Sequence, residues 1–264
     1  MRRFVIVSLL GALTSCSLLI DLSGLSGEPL CDGGCSDQGA TDAAFAPDAF
    51  DGRAPDGAGS SPIAFVQSTT VRQIGVTIGA TINPTASGNL VVVALTQNTS
   101  ASAKVTGVSD DAPGGSNAYV SAGQRSADVS CNNTAEIWYA KDVGSGAKNV
   151  SVTMSGSSAV EVWVLEVSGL GTTAPLESGA VIGDQPASTQ VAAPQVTTAA
   201  RALVVSTVAT CGEVKSLAAG SPFIELPTQN GHDTAYFVAP TGGSYGATWV
   251  TTSFTWNAST VAFH

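Results

Sequence analysis

Asn89-Leu90-Val91-Val92-Val93-Ala94-Leu95-Thr96 comes back later in the chain as Ala202-Leu203-Val204-Val205-Ser206-Thr207-Val208-Ala209. Each is a short β-rich run, and together they form a weak internal repeat. A second echo follows each run, Ile137-Trp138-Tyr139-Ala140 in one copy and Tyr236-Phe237-Val238-Ala239 in the other. After each echo comes a Gly-rich turn and two further strands, ending at Val167 and at Phe263. Two Greek-key halves related in this way predict one all-β, antiparallel, jelly-roll-like β-sandwich. The alternative is two small immunoglobulin-like domains meeting near 169–186. A Cys131–Cys211 bridge would cross that boundary, which favours the single sandwich.

Working outward, short β-rich runs broken by Gly, Asn, Asp and Ser fill the chain from Pro62 onward. Strands are predicted near 63–67, 73–82, 89–96, 104–108, 118–121, 135–140, 149–154, 159–167, 190–193, 202–210, 223–226, 234–239, 247–252 and 254–263. The stretch 160–167 is apolar on both alternating faces apart from Glu161 and Glu166, so it reads as a central strand between layers. Charged residues are only 11% of the 264, and no long stretch has helical periodicity, a composition that suits an extracellular β protein. The net charge of −10 argues against nucleic acid, whose phosphates need a basic face.

The segment 36–61 is a different material. Asp, Ala, Gly and Pro dominate it, and it has too little apolar mass to build a core. Residues 17–61 carry eight acids against Arg53 alone. A disordered acidic tether of this length has an r.m.s. reach of roughly 35–40 Å, further stretched by like-charge repulsion. The expected organisation is therefore a signal peptide at 1–15, a lipidated N-terminus with its linker at 16–61, and the sandwich at 62–264.

The signal reading rests on the N-terminal residues. Met1-Arg2-Arg3 precedes an apolar run from Phe4 to Ala12, and then comes Leu13-Thr14-Ser15-Cys16. That run suits a signal h-region but is too short for a bilayer-spanning helix of roughly 20 residues. The four residues resemble the lipobox of bacterial lipoprotein signal peptides, and the resemblance covers residues 1–16. It implies that Cys16 becomes the N-terminus and carries lipid, two or more acyl chains making attachment effectively stable. Ser17 stands where an Asp would argue for inner-membrane retention, so outer-membrane anchoring in the cell envelope, with possible surface exposure, is the expectation. An ordinary secretory signal and an uncleaved anchor are the competing readings.

With Cys16 committed to lipid, Cys31, Cys35, Cys131 and Cys211 remain, an even number in an oxidising compartment. Cys31–Cys35 and Cys131–Cys211 are the favoured pairings, with four free thiols as the alternative. The longer loop is worth about 4.5 kcal/mol on the chain-entropy model. No histidine accompanies these cysteines at a zinc spacing, so neither metal nor cofactor is expected.

Candidate chemistry is sparse. Gly242-Gly243-Ser244-Tyr245-Gly246 fits the G-x-S-x-G pattern of serine hydrolases. That mechanism needs a strand-to-helix elbow with an acid and a histidine downstream. Here strands flank the motif and only His264 follows, so a Gly-rich hairpin is expected. His232-Asp233 sits beside the turn signal Asn230-Gly231. Glu136, Glu161, Glu166, Glu213 and Glu225 supply carboxylates for glycoside hydrolysis only in being glutamates, so no catalytic residue is assigned and no enzyme is expected. Asp110-Asp111 could offer oxygens to a structural Ca²⁺, against the commoner reading of a solvated turn.

The aromatics are more informative. Along Trp249–Trp256, strict alternation puts Val250, Thr252, Phe254 and Trp256 on an apolar side and Trp249, Thr251, Ser253 and Thr255 on a polar one. Trp249 is then exposed on a hydroxyl-rich surface with Tyr245 and Thr251, a platform on which a sugar could stack. Burial under a loop is the competing reading. Trp138 and Trp163 are expected in the core. The pattern is also similar to the concanavalin-like and carbohydrate-module sandwiches of secreted bacterial proteins, a likeness of architecture that no motif carries. Two functions follow as expectations: a membrane-tethered binding module for a polysaccharide or an envelope protein, or a structural or adhesive envelope lipoprotein with no small-ligand site.

Overall fold

Runs of Val, Ile and Thr punctuated by Gly, Asn and Ser form strands and turns and little else. The computed structural model describes residues 61–98, 103–123, 125–128, 130–228 and 231–264, and among them there is no helix. In the first half the strands are β1 (Ala64–Thr81), β2 (Leu90–Asn98), β3 (Val105–Asp110), β4 (Tyr119–Ser121), β5 (Ser126–Asp128), β6 (Asn133–Ala140) and β7 (Asn149–Ser168). In the second half they are β8 (Leu176–Ala192), β9 (Val196–Thr198), β10 (Ala202–Thr210), β11 (Val214–Leu217), β12 (Ile224–Glu225), β13 (Asp233–Ala239), β14 (Gly243–Tyr245) and β15 (Thr248–Phe263). Cys16, Cys31, Cys35 and the acidic linker lie outside the described residues.

The internal echo is a repeat of topology. The first half runs β1-β7-β2-β6-β4 with β3 also on β7 and β5 on β6; the second runs β8-β15-β10-β13-β12 with β11 also on β15. Every pairing is antiparallel. The described chain is thus an all-β antiparallel sandwich, in which the same strand order occurs once per half.

Long strands turn the corners between layers. The β1–β7 register slips between Gly75 and Thr77, and the β8–β15 register slips repeatedly between Val250 and Ala258. On one side of its slip β7 lies beside β2; on the other it lies beside β3. Bulges of this kind bend a strand without ending it. The pairs expected as separate strands, 63–67 with 73–82, 149–154 with 159–167, and 247–252 with 254–263, are therefore single strands. Most of β8 escaped the sequence reading because Gly179, Gly183 and Pro186 interrupt it. Beyond Phe254 and before Trp256 the ladder skips Pro186, so the proline sits where no bond is needed.

Three cores result. Every residue of β2 from Leu90 to Gln97, and every residue of β10, is buried. Leu90, Val92 and Ala94 of β2, Trp163, Leu165 and Val167 of β7, Leu203 and Val205 of β10, and Val261 and Phe263 of β15 meet in a central core between the halves. The alternate residues Val91, Val93 and Leu95 face a second core with Ile78, Val152 and Val162. Val204 and Val208 face a third with Trp249, Trp256 and Ala258. Two-sided burial is why the runs at 89–96 and 202–209 show no alternation. Trp163 is fully buried, as expected, with its indole N–H donating to Pro227 O at 2.9 Å; Trp138 is only partly buried against the core of the first half.

The halves are also sewn together by polar bonds and one covalent bond. Cys131, ahead of β6, is disulfide-bonded to Cys211, just past β10, with their Cα atoms 5.7 Å apart. Beside it Asn133 Nδ2 donates to Thr210 O at 2.7 Å and Ser126 Oγ to Asn257 Oδ1 at 2.7 Å.

Candidate functional site

β2 and β10 start together and end together. Their first residues adjoin a cavity of about 760 Å³ lined by Gly88, Asn89, Gly169, Arg201 and Ser61. Their last residues, Asn98 and Thr210, line a second cavity of about 480 Å³ with Cys211, Gly212, Glu213, Thr228, Gly231 and His232. Each strand has nine residues, so the two ends lie about 30 Å apart at about 3.3 Å per residue. Ser61, where the described chain begins, is at the first end, its carbonyl accepting from Arg201 Nη2 at 3.1 Å. The polar cavity is at the far end.

The far cavity is built on two glycines. Gly231 has φ 63°, a left-handed conformation open to glycine, and a Cβ there would come within 3.0 Å of Gly212 O. That close approach lets Gly231 O accept from Val214 N at 2.8 Å. At Gly212 a Cβ would stand 1.9 Å from Phe254 Cδ2, so the Phe254 ring lies on the bare Cα of a cavity residue. Phe254 is 42% exposed. Thr210 and Gly212 close on each other, the hydroxyl donating to Gly212 O at 2.8 Å and accepting from Gly212 N at 3.1 Å.

His232 forms the inner wall and is 2% exposed. Its Nδ1 accepts from Thr210 N at 3.3 Å, which puts the proton of the neutral ring on Nε2. Nε2 is buried and has no hydrogen-bond partner. Burial, and secondarily the positive charge of Arg72, push the imidazole down to about 4, so it is neutral at physiological pH. With Nδ1 engaged, the ring offers one N–H and no lone pair. Thr228 Oγ1 lies between the His232 carbonyl, at 2.5 Å, and Glu161 Oε1, at 3.2 Å. Glu213, at the rim, is paired with Lys215 at 2.9 Å.

Next to His232, Asp233 is fully buried. Burial, reinforced by the neighbouring Glu225 carboxyl, pushes Asp233 up to about 9 and keeps it protonated at neutral pH. Its Oδ1 accepts from Thr234 N at 2.6 Å.

The structure disperses the expected sugar platform. Trp249 is fully buried in the core of the second half, and Thr251 is 5% exposed with its hydroxyl donating to Glu213 O at 2.7 Å. Tyr245 is half-buried against Phe237, with its hydroxyl on Thr241 O at 2.9 Å. The reason is the register slips in β15 between Val250 and Trp256. Each irregularity resets which face a residue takes, so Trp249 and Trp256 both point inward while Val250 and Phe254 point out. Phe254, Gly212 and His232 are the residues that alternation missed. The sequence signal for Phe254 was the Thr251-Thr252-Ser253 interruption between two apolar runs.

Other candidates resolve into structural roles. Ser244 is an exposed strand residue of β14 that donates to Gln195 Oε1 at 2.9 Å. Asp110 accepts from Ala112 N, Asn117 N and Nδ2, and Tyr119 Oη, while Asp111 accepts from Lys148 N and from Asn149 N and Nδ2. Those bonds hold Asp111 down to about 2 and fasten the loop; the carboxylates are occupied as loop clamps. Glu136 accepts from Trp138 Nε1 at 2.7 Å, and Glu166 from Gln67 Nε2, Ala86 N and Asn89 Nδ2. Among the described residues no three His, Cys, Asp or Glu side chains gather as a metal site. No protein-family model, curated protein or solved structure matches the chain.

Proposed function

We propose that this chain is a bacterial envelope lipoprotein, anchored in the outer membrane through lipid on Cys16, that displays its sandwich as a binding module for a glycan or a protein partner. The observation that carries the reading is polarity of the fold: Ser61, the residue nearest the linker, and the polar cavity at Asn98, Thr210 and His232 stand at opposite ends of β2 and β10. A module tethered at the first end would hold the cavity away from the membrane. The Cys131–Cys211 bridge supports an oxidising compartment.

Globomycin treatment of expressing cells tests the anchor. A heavier, unprocessed precursor is expected, and an unchanged mass overturns lipidation at Cys16. Display is tested by adding a bulky maleimide to intact cells carrying Glu213→Cys, with Ser61→Cys as the near-end control. Preferential labelling at the far end is expected.

A second reading is an adhesive or structural lipoprotein that works through surface contact alone. Ile74 at 76% exposure and Ile224 at 55% favour it. It predicts that Ile74→Ser and Ile224→Ser, and not changes in the cavity, abolish envelope association.

A further inference from the structure

We infer that the far cavity is a binding subsite for a neutral sugar unit, with the exposed ring of Phe254 as its stacking face. The inference rests on the displayed-module reading and names the ligand of that site. Three independent features point to it.

The first is the aromatic platform. Phe254 is 42% exposed and its ring lies against the Cα of Gly212, a residue of the cavity lining, where any side chain would collide with it. An exposed aromatic face beside a polar cavity is the arrangement that a pyranose needs, one apolar C–H face and a hydroxyl periphery.

The second is the lining. Asn98 offers an amide and Gly212 and Gly231 leave their backbones bare, while the Thr210 and Thr228 hydroxyls are engaged within the wall by Gly212 and the His232 carbonyl. A cavity of about 480 Å³ is within the range of small-molecule sites. His232, 2% exposed, closes the wall behind them with its Nε2 sealed from solvent.

The third is charge. Among the described residues the cavity lining contains no Lys or Arg, its acid Glu213 is already paired with Lys215, and the whole chain carries −10. An anionic ligand would be repelled and a cationic one would find its carboxylate taken. A neutral polyhydroxyl ligand meets neither obstacle.

The test uses the full-length lipoprotein in detergent micelles and, as probes, neutral gluco-, manno-, xylo- and chito-oligosaccharides of about six units, by titration calorimetry. Wild type is expected to bind at least one series with Kd between about 10 μM and 1 mM. Phe254→Ala should weaken that binding about tenfold or more, and Phe254→Trp should keep or tighten it. Phe254→Leu, which retains apolar area without a ring face, should behave like Ala. Thermal melts of the three variants within about 2 °C of wild type would show the fold intact. No binding to any series, or equal binding by Phe254→Ala or Phe254→Leu, overturns the sugar assignment. Asn98→Trp, which fills the cavity mouth, separates the two levels of failure. If no sugar binds but wild type is retained on purified envelopes and Asn98→Trp is not, the sugar fails and the displayed site stands. If both are retained alike, or neither is, the cavity has no binding role and both readings fall.

Discussion

Glu166 and His232, at opposite ends of the sandwich, are buried polar side chains treated in opposite ways. At the near end Glu166, 1% exposed, is met by three donors: Gln67 Nε2 at 2.5 Å, Ala86 N at 2.8 Å and Asn89 Nδ2 at 2.7 Å. At the far end His232 keeps an unpartnered N–H, and Asp233, fully buried, shares hydrogen bonds with the Glu225 carboxyl and Trp249 without an opposite charge. The near end is a closed polar cluster that fixes how β1, β2 and β7 meet. The far end holds a buried N–H whose bonding is incomplete, and that end is stapled by a disulfide. Incomplete polar satisfaction in a folded protein is a cost, and such costs concentrate where a structure does something other than fold.

The largest expected effect breaks the far end. Cys131→Ser with Cys211→Ser removes a crosslink that closes 80 residues across the two halves. The chain-entropy model gives a loss of about 4.5 kcal/mol, to be read as a lower midpoint in guanidinium unfolding with an unchanged slope. A change below about 1 kcal/mol would mean that the central core alone holds the halves together. Next comes the near end: Glu166→Leu leaves the three donors facing an apolar group and should cost about 3 kcal/mol in the same assay. If it costs nothing, the contrast between the ends is geometric and not energetic.

How much of this was legible in sequence follows from how far period-2 alternation survives. The echo at 89–96 and 202–209 read correctly because strands buried on both faces need only be apolar throughout, so register errors do no harm. The Cys131–Cys211 bridge was favoured among the three pairings that four cysteines allow, and the structure shows it. Trp249 was misread because its environment depends on parity, and parity is lost at each slip in β15 between Val250 and Trp256. The same slips hid Phe254 among residues counted as core. Glu166 and Glu161 read as flaws in an apolar run, since the partners that accommodate them, Asn89 and Thr228, are 77 and 67 residues away. The His232 cavity needed the ends of β2 and β10 brought together, and no local pattern announces that.

The remaining predictions sharpen the comparison through pH. Asp233 is held at about 9, above its ordinary 3.8, so the fold prefers its protonated form. Its contribution to stability is complete below about pH 4 and is lost as pH rises toward 9. Asp233→Asn should therefore stabilise the protein at pH 8 by on the order of 2 kcal/mol, and an unchanged or lowered melting temperature there would show that the carboxyl is ionised in the fold. His232 runs the other way. Its folded value of about 4 lies below the ordinary 6.5, so its contribution is complete above pH 6.5 and is lost as pH falls to 4. Between pH 4 and 6.5 the two slopes oppose each other, and wild type should be nearly flat with respect to this pair.

The smallest effect is the most discriminating one. In Asp233→Asn the compensation is gone, so stability should fall from pH 6.5 to 4 with a slope of up to about 1.4 kcal/mol per unit. In His232→Asn the same interval should show stability rising as pH falls, because only the Asp233 contribution is left. Melting each variant at pH 4.5, 5.5 and 6.5 and subtracting wild type isolates the pair from every other titrating group. Opposite signs in the two difference curves require that adjacent residues, His232 and Asp233, are both buried and both shifted. A flat difference curve for either variant would mean that the residue replaced titrates as an exposed group. In that case the far end would be as fully satisfied as Glu166 and would lose its distinction from the near end.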